Sequence, residues 1–89
     1  MRLSVIIPVY NEKETVMEVI GRVAAIPVEK EVVVVDDAST DGTREILEGL
    51  DTARFASSGT PVRIVFQEVN RGKGAAVRRG IGEATGEYV

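Results

Sequence analysis

Two adjacent carboxylates follow the most apolar segment of the sequence. Asp36 and Asp37 come directly after four consecutive valines, and the small and polar residues ASTDGT follow them. Carboxylates at the end of a strand can hold a cation or accept N–H hydrogen bonds from a ligand. They can also end the strand and help to cap a helix that Ser39, Thr40 or Asp41 begins. The pattern alone leaves these two interpretations open.

A second polar cluster follows the first apolar segment, LSVIIPV. Tyr10, Asn11 and Glu12 stand there, and the tyrosine combines an aromatic ring with a polar edge. Such a ring can stack on a nucleobase. It can equally be an ordinary aromatic residue at the rim of the core.

The third cluster is the glycine-rich segment NRGKGAA, in which Gly72 and Gly74 flank Lys73. A helix is expected to begin here. Unpaired backbone N–H groups at a helix N-terminus, together with a lysine, would bind phosphate. The alternative is a flexible turn that leads into the helix. Arg78 and Arg79 on that helix are expected to be solvated charges.

Two common phosphate-binding motifs do not match the sequence. A P-loop needs a glycine five residues before its Gly-Lys pair and a Ser or Thr after the lysine. Gln67 and Gly74 occupy those positions. A Rossmann G-x-G-x-x-G would follow the first strand, where this chain has YNEKET. The sequence therefore supports neither a P-loop ATPase nor binding of NAD.

Strand-like and helix-like segments alternate along the chain. RLSVIIPV, EVVVVDD and VRIVFQE are apolar runs typical of buried strands, and EYV is expected to begin a fourth. Residues 51–61 show no clear periodicity and are predicted as a loop. The order β-α-β-α-β-α-β predicts an α/β fold, with a mostly parallel sheet, helices on both faces and right-handed crossovers. We expect the first three strands to lie in the order 3-2-1.

Three helices are predicted between these strands. Asn11 is expected to cap the first of them, with Glu14 completing a capping box. Helical spacing of apolar residues predicts the faces turned to the core. These are Val16, Met17, Ile20, Val23 and Ala24 in the first helix, Ile46, Leu47 and Leu50 in the second, and Ala76, Val77, Gly80, Ile81 and Ala84 in the third.

The predicted fold brings the three polar clusters together. In open α/β sheets, ligands bind outside the carboxyl ends of the strands. Each cluster follows a predicted strand, so all three should meet at one edge of the sheet. This convergence is the main argument from the residues themselves for a ligand site.

The composition excludes several classes of function. The chain has 89 residues, a net charge of −3, no histidine and no cysteine. It is one small domain or part of a larger one, and its charge argues against nucleic-acid binding. A histidine base, a Ser–His triad, a His–zinc site and a thiolate site are excluded within it. No apolar run approaches the roughly 20 residues that a bilayer needs. The absence of cysteine suits the cytosol, and a cytoplasmic location is expected.

The three motifs together resemble the family-2 glycosyltransferases of the GT-A fold. LSVIIPVYNE, VVVVDDASTDGT and NRGKGAAVRRGIGEATGEYV stand in the family's order and spacing, most like polyprenyl- or dolichyl-phosphate sugar transferases. The resemblance covers nearly the whole chain, with Asp51 to Thr60 as the exception. Ala38 stands where the family usually has glycine, and Glu87 where it often has aspartate. The family would place the fourth strand next to the first.

The resemblance implies a set of nucleotide-binding residues. The tyrosine would lie beside the base, and Asp37 would accept a hydrogen bond from a base N–H, which selects uracil or guanine. Asp36 would support the site by bonding backbone amides of the next loop, and Lys73 would lie near the phosphates. The complete set is Pro8, Tyr10, Asn11, Glu12, Asp36, Asp37 and Lys73.

The resemblance also implies a reaction. Such enzymes transfer a sugar, with inversion, from a UDP- or GDP-sugar to an acceptor such as a polyprenyl phosphate. A divalent cation, Mg²⁺ or Mn²⁺, neutralises the leaving diphosphate. Its D-x-D-like motif would come after Val89, so residues 1–89 are expected to hold the nucleotide but no catalytic or metal-binding residue. The full-length protein would work in the cytoplasm or at the cytoplasmic face of a membrane.

Two other classes remain open. A receiver domain is also an α/β sheet with acidic residues at a strand end, but its pair follows the first strand and an aspartate follows the third. Here the pair follows the second strand and no aspartate follows the third. The other class is a non-catalytic nucleotide-binding fragment. An exposed first strand, unusually apolar for an edge, would favour its self-association.

Overall fold

The computed structural model describes residues 3–57, 59–84 and 87–88. Its strands are β1 (Leu3–Val9), β2 (Lys30–Asp36), β3 (Val62–Phe66) and β4 (Glu87–Tyr88). Its helices are α1 (Val16–Ala25), α2 (Thr43–Glu48), α3 (Thr52–Ser57) and α4 (Lys73–Glu83). The predicted α/β class is confirmed.

The strands form one parallel sheet in the order β3-β2-β1-β4. The register between β1 and β2 runs from Leu3 opposite Lys30 to Val9 opposite Asp36. The predicted order 3-2-1 is confirmed, and β4 lies beside β1. In the described part of the chain, β4 pairs with β1 only at Leu3 and Ser4.

The core lies on both faces of β2, every residue of which is buried. Alternate valines face opposite sides: Val32 and Val34 pack with residues of α1 and α2, while Val33 and Val35 pack with α4. The four valines do not alternate with polar residues because helices cover both faces of this strand. The helix α4 lies so close to β1 that a Cβ at Gly80 would overlap Cγ2 of Ile6.

The start of the first helix differs from the prediction. The helix α1 begins at Val16, and its N-cap residue Thr15 makes no side-chain cap hydrogen bond. Asn11 is not an N-cap, and the predicted capping box with Glu14 is wrong. Asn11 has a positive φ of 50°, and its amide oxygen accepts the N–H of Thr40 at 2.8 Å. The side chain therefore joins two loops and does not start a helix.

Three further predictions are wrong. Residues 52–57 form the helix α3 instead of the predicted loop. This helix has only six residues, which are too few to show a helical periodicity in the sequence. Met17 is 45% exposed because the core side of α1 is carried by Val16 and Ile20. The helix α2 begins at Thr43 after Gly42, which has a φ of 106°. None of the three candidate residues Ser39, Thr40 and Asp41 occupies its N-cap position.

No helix in the described ranges has the length and apolar character needed to cross a membrane.

Candidate functional site

The carboxyl ends of β1 and β2 and the start of α4 line one cavity of about 320 Å³. Five of the seven residues predicted to form the site line it: Pro8, Tyr10, Glu12, Asp37 and Lys73. Val9, Asn70, Gly72 and Ala76 complete the lining. The three polar clusters therefore meet as the strand order requires.

The other two predicted residues, Asn11 and Asp36, do not line this cavity. Asp36 is fully buried, and its carboxylate accepts the N–H of Ser39 at 3.2 Å and the hydroxyl of Ser39 at 2.5 Å. That hydroxyl in turn accepts the N–H of Asn11 at 2.9 Å. Asp36 thus bonds a backbone amide of the next loop.

The loops after β1 and β2 are joined by two more hydrogen bonds. The N–H of Glu12 donates to the hydroxyl of Thr43 at 2.9 Å, and the N–H of Lys13 donates to Asp41 at 3.3 Å. Asp41 also accepts the hydroxyl and the N–H of Thr43. This network fixes the segment with Tyr10 and Glu12 relative to the loop after β2.

These contacts change the acidity of Asp41. The hydroxyl of Thr43 is the main cause that lowers the pKa of Asp41 below its ordinary value of 3.8, and N–H groups of Thr43 and Lys13 add to it. Partial desolvation acts in the opposite direction. Hydrogen bonds to a carboxylate favour its charged form, so Asp41 holds the loops as an anion.

Asp37 connects three parts of the site. Its N–H donates to the carbonyl of Val9 at 2.8 Å, which continues the β1–β2 ladder. Its carboxylate, in a residue only 3% exposed, accepts the N–H groups of Arg71 and Gly72, each at 3.0 Å. A carboxylate oxygen has two lone pairs, so both oxygens keep further capacity to accept hydrogen bonds.

The start of α4 brings Lys73 into the lining of the cavity. Lys73 is the first helical residue, and Gly72 before it has a φ of 88° and a ψ of 164°, a conformation that favours glycine. None of the ion pairs between described residues includes Lys73. The helix N-terminus and this ammonium together suit an anionic ligand.

The charges around the cavity do not balance those of a diphosphate. Glu12 and Asp37 are carboxylates, and Lys73 is the one cation of the lining, so the charged side chains leave one net negative charge. A diphosphate bound here would need additional positive charge. The described residues contain no group of three or more acidic, histidine or cysteine side chains that could hold a metal ion.

Two residues beside the site have backbone conformations unusual for their type. Ala38, directly after Asp37, has a φ of 60°, and Asn11 has a φ of 50°. Asparagine tolerates this region through local hydrogen bonds, whereas for alanine it costs energy. Non-glycine residues in this region cluster at functional sites, where the surrounding structure holds them.

Sequence reasoning missed Asn70 as a lining residue. It belongs to the third polar cluster, but its role is visible only in the structure. Its amide oxygen accepts the N–H of Gly72 at 3.0 Å, the Asx-turn that an Asn two residues before a glycine favours. The spacing Asn-x-Gly was the signal that could have found it.

A larger cavity of about 640 Å³ lies along β3 near α2 and α3. None of the three polar clusters lines it, and its charged residues Glu31, Glu48 and Arg63 follow no common motif. The smaller cavity is the better candidate because it lies at the carboxyl ends of the strands, where open α/β sheets bind ligands.

The fold and the cavity define an α/β domain with a ligand site at the carboxyl ends of its strands. The family model for glycosyl transferase family 2 matches residues 4–89. The chain belongs to this family.

Curated relatives and a solved structure agree with this assignment. The chain is 40% identical to a dolichol-phosphate mannosyltransferase of Pyrococcus furiosus, over 98% of the chain and 24% of that protein. It is 35% identical to a poly-beta-1,6-N-acetyl-D-glucosamine synthase of Staphylococcus epidermidis, over 98% of the chain and 20% of that protein. The chain thus spans about a quarter or less of the length of these relatives.

The fold is also similar to that of a mannosyltransferase from Pyrobaculum calidifontis, solved in complex with GDP-Man and Mn²⁺. The TM-score is 0.77 at 32% identity, over 94% of this chain and 24% of the other. The predicted resemblance to family-2 glycosyltransferases of the GT-A fold is confirmed.

Proposed function

We propose that residues 1–89 form the donor nucleotide-binding part of an inverting glycosyltransferase that uses a UDP- or GDP-sugar. The observation that carries this proposal is the convergence of Tyr10, Glu12, Asp37 and Lys73 on one cavity at the carboxyl ends of the strands. These residues come from three separate segments. A capping or turn role could explain the presence of each residue by itself, but it does not explain why all of them line the same cavity.

The proposed roles follow from the position and charge of each group. The ring of Tyr10, 45% exposed at the cavity, stacks on the base. Asp37 accepts a hydrogen bond from a base N–H through its remaining lone pairs. Lys73 and the N-terminus of α4 bind the diphosphate. Pro8 and Glu12 border the nucleotide, while Asn11 and Asp36 support it from behind the lining.

A divalent cation, Mg²⁺ or Mn²⁺, is proposed for the full-length enzyme, where it would neutralise the leaving diphosphate. The complex of the Pyrobaculum enzyme with GDP-Man and Mn²⁺ supports this proposal. The net negative charge of the cavity lining supports it as well. We assign the cation to no residue of this chain.

The proposed acceptor is a lipid phosphate such as a polyprenyl phosphate. The full-length protein is proposed to work in the cytoplasm or at the cytoplasmic face of a membrane. The name of the Pyrococcus relative favours this acceptor. The Staphylococcus relative, which is named for a polysaccharide product, supports a hydroxyl acceptor as the alternative. No nucleic-acid partner is proposed for this acidic chain.

The proposal is tested by titrating the chain with UDP, GDP, CDP and ADP. Uracil and guanine carry a ring N–H at the Watson–Crick edge, whereas cytosine and adenine carry an acceptor there, which a carboxylate repels. We expect UDP or GDP to bind more tightly than CDP and ADP. The variant Lys73→Met should weaken binding, while Glu29→Gln, which removes an exposed carboxylate just before β2, should not. Equal affinity for all four nucleotides, or no binding, would contradict the proposal.

A further inference from the structure

Asp37 belongs at once to the cavity lining and to the loop that precedes α4. It lines the cavity, yet its two carboxylate oxygens accept the N–H groups of Arg71 and Gly72 at 3.0 Å each. A role in reading the base requires only one accepted bond from the ligand. The two bonds to the loop therefore call for a separate explanation.

The bonded loop leads directly to Lys73. Gly72 immediately precedes this lysine, and its N–H is accepted both by Asp37 and by the amide oxygen of Asn70, each at 3.0 Å. Residues 68–73 are all exposed, so apolar packing contributes little to their position. The buried carboxylate of Asp37 is the anchor that joins this exposed loop to the sheet.

We propose that Asp37 is a positioning residue for Lys73. Its carboxylate fixes the turn at Gly72 and thereby directs the ammonium into the cavity, so one carboxylate serves both the base and the diphosphate end of the ligand. This inference rests on the proposed function. It goes beyond it by assigning to Asp37 an effect on phosphate binding that requires no base.

The proposal predicts that loss of the Asp37 carboxylate weakens anion binding, whereas the change in charge alone would strengthen it. Asp37→Asn removes a negative charge from a cavity whose lining is already net negative, which by itself should strengthen the binding of an anion. The asparagine has one acceptor oxygen and cannot accept both N–H groups through two oxygens as the carboxylate does. Loss of the turn should therefore weaken anion binding despite the improved charge.

The test uses inorganic pyrophosphate, which has no base. Its affinity is measured by titration calorimetry for the unsubstituted chain, Asp37→Asn, Lys73→Met and the double variant, with Glu29→Gln as the charge control. We expect Asp37→Asn to weaken pyrophosphate binding about tenfold, as for a lost hydrogen bond to a charged group. In the Lys73→Met background, Asp37→Asn should cause no further loss.

Equal or tighter binding of pyrophosphate by Asp37→Asn would overturn this inference and leave the proposed function standing. If the unsubstituted chain binds neither pyrophosphate nor any nucleoside diphosphate, both are overturned. The two failures are thus distinguishable.

A second variant changes the turn at Gly72 and leaves the carboxylate of Asp37 unchanged. Gly72 has a φ of 88°, and a Cβ there would meet no atom within 4 Å, so Gly72→Ala changes the backbone by conformational strain alone. We expect it to weaken pyrophosphate binding. Unchanged pyrophosphate binding in Gly72→Ala would overturn the inference even if Asp37→Asn does not fold.

Discussion

The hydroxyl of Ser39 donates to the carboxylate of Asp36 at 2.5 Å and accepts the N–H of Asn11 at 2.9 Å. A carboxylate at the end of β2 thus fixes the loop after β1 through a single serine. Its neighbour Asp37 lines the cavity, whereas Asp36 does not. The two adjacent aspartates therefore have different surroundings, and substitutions should separate their roles.

We expect Asp37→Ala to weaken binding of UDP or GDP more than Asp36→Ala does, by about 1–3 kcal/mol, because the base donor loses its acceptor. Asp36→Ala should instead lower the free energy of unfolding, since it leaves the half-buried N–H and hydroxyl of Ser39 without their acceptor. Calorimetric titration and chemical denaturation of both variants measure the two effects. A larger loss of binding for Asp36→Ala would show that the roles are reversed.

Ala38 gives a second prediction, on stability. Its φ of 60° costs an alanine roughly 1–2 kcal/mol. A glycine would avoid this cost, but its greater entropy in the unfolded chain would offset about 0.4–1 kcal/mol of the gain. Ala38→Gly should therefore raise the free energy of unfolding, by up to about 1.6 kcal/mol. The matched control Ala75→Gly, inside α4, should lower it by about 0.5–1 kcal/mol. Destabilisation by both variants would contradict the strain argument.

The third prediction concerns acid. The pKa of Asp41 is lowered in the folded chain, chiefly by the hydroxyl of Thr43. Its stabilising contribution is therefore fully present above the ordinary pKa and is lost as the pH falls through the folded pKa. The difference in unfolding free energy between the unsubstituted chain and Asp41→Asn should be constant near neutral pH and shrink below pH 3.8. Denaturation series at several pH values measure it, and a difference that grows in acid would refute the assignment.

The fourth prediction concerns the edge of the sheet. In the described residues β4 pairs with β1 only at Leu3 and Ser4, and no described residue pairs with residues 6–9 on that side. This segment carries no charge to oppose pairing with another chain, whereas the opposite edge strand β3 exposes Arg63. We expect the isolated chain to associate as its concentration rises, with amide protection increasing in β1 and not in β3. A monomer at all concentrations in sedimentation would count against this.

The sequence predicted that the three polar clusters meet at one edge of the sheet, because this depends on the order of the parallel strands. Four valines with no alternation required a central strand covered on both faces, and the clusters then had to meet at the carboxyl edge. The details of the loops were less accessible. The local pattern predicted that Asn11 caps a helix, but its amide oxygen accepts the N–H of Thr40, 29 residues away. The bonds from Asp37 to Arg71 and Gly72 likewise span 34 and 35 residues, and no local pattern encodes them.

The last prediction concerns activity. We expect residues 1–89 to bind a nucleoside diphosphate but to transfer no sugar at a useful rate. Lys73 is the only cation in the lining of the cavity, and two carboxylates share that lining. The described residues contain no group of three or more acidic, histidine or cysteine side chains that could hold a metal ion, and we expect the charge that develops on the leaving diphosphate to lack a neutralising cation. Loss of one preorganised electrostatic group can cost about 100- to 1,000-fold in rate, and the lack of a cation should cost more.

The assay combines two measurements on the same chain. Titration of UDP and GDP with and without Mn²⁺ or Mg²⁺ should show little effect of the metal, because we assign the cation to no residue of this chain. A transfer assay with UDP- and GDP-sugars and a polyprenyl phosphate acceptor should show no product above background, with Lys73→Met as the matched control for any residual rate. Metal-dependent turnover that Lys73→Met abolishes would mean that this chain neutralises the diphosphate by itself, and it would refute the electrostatic argument made here from the cavity lining.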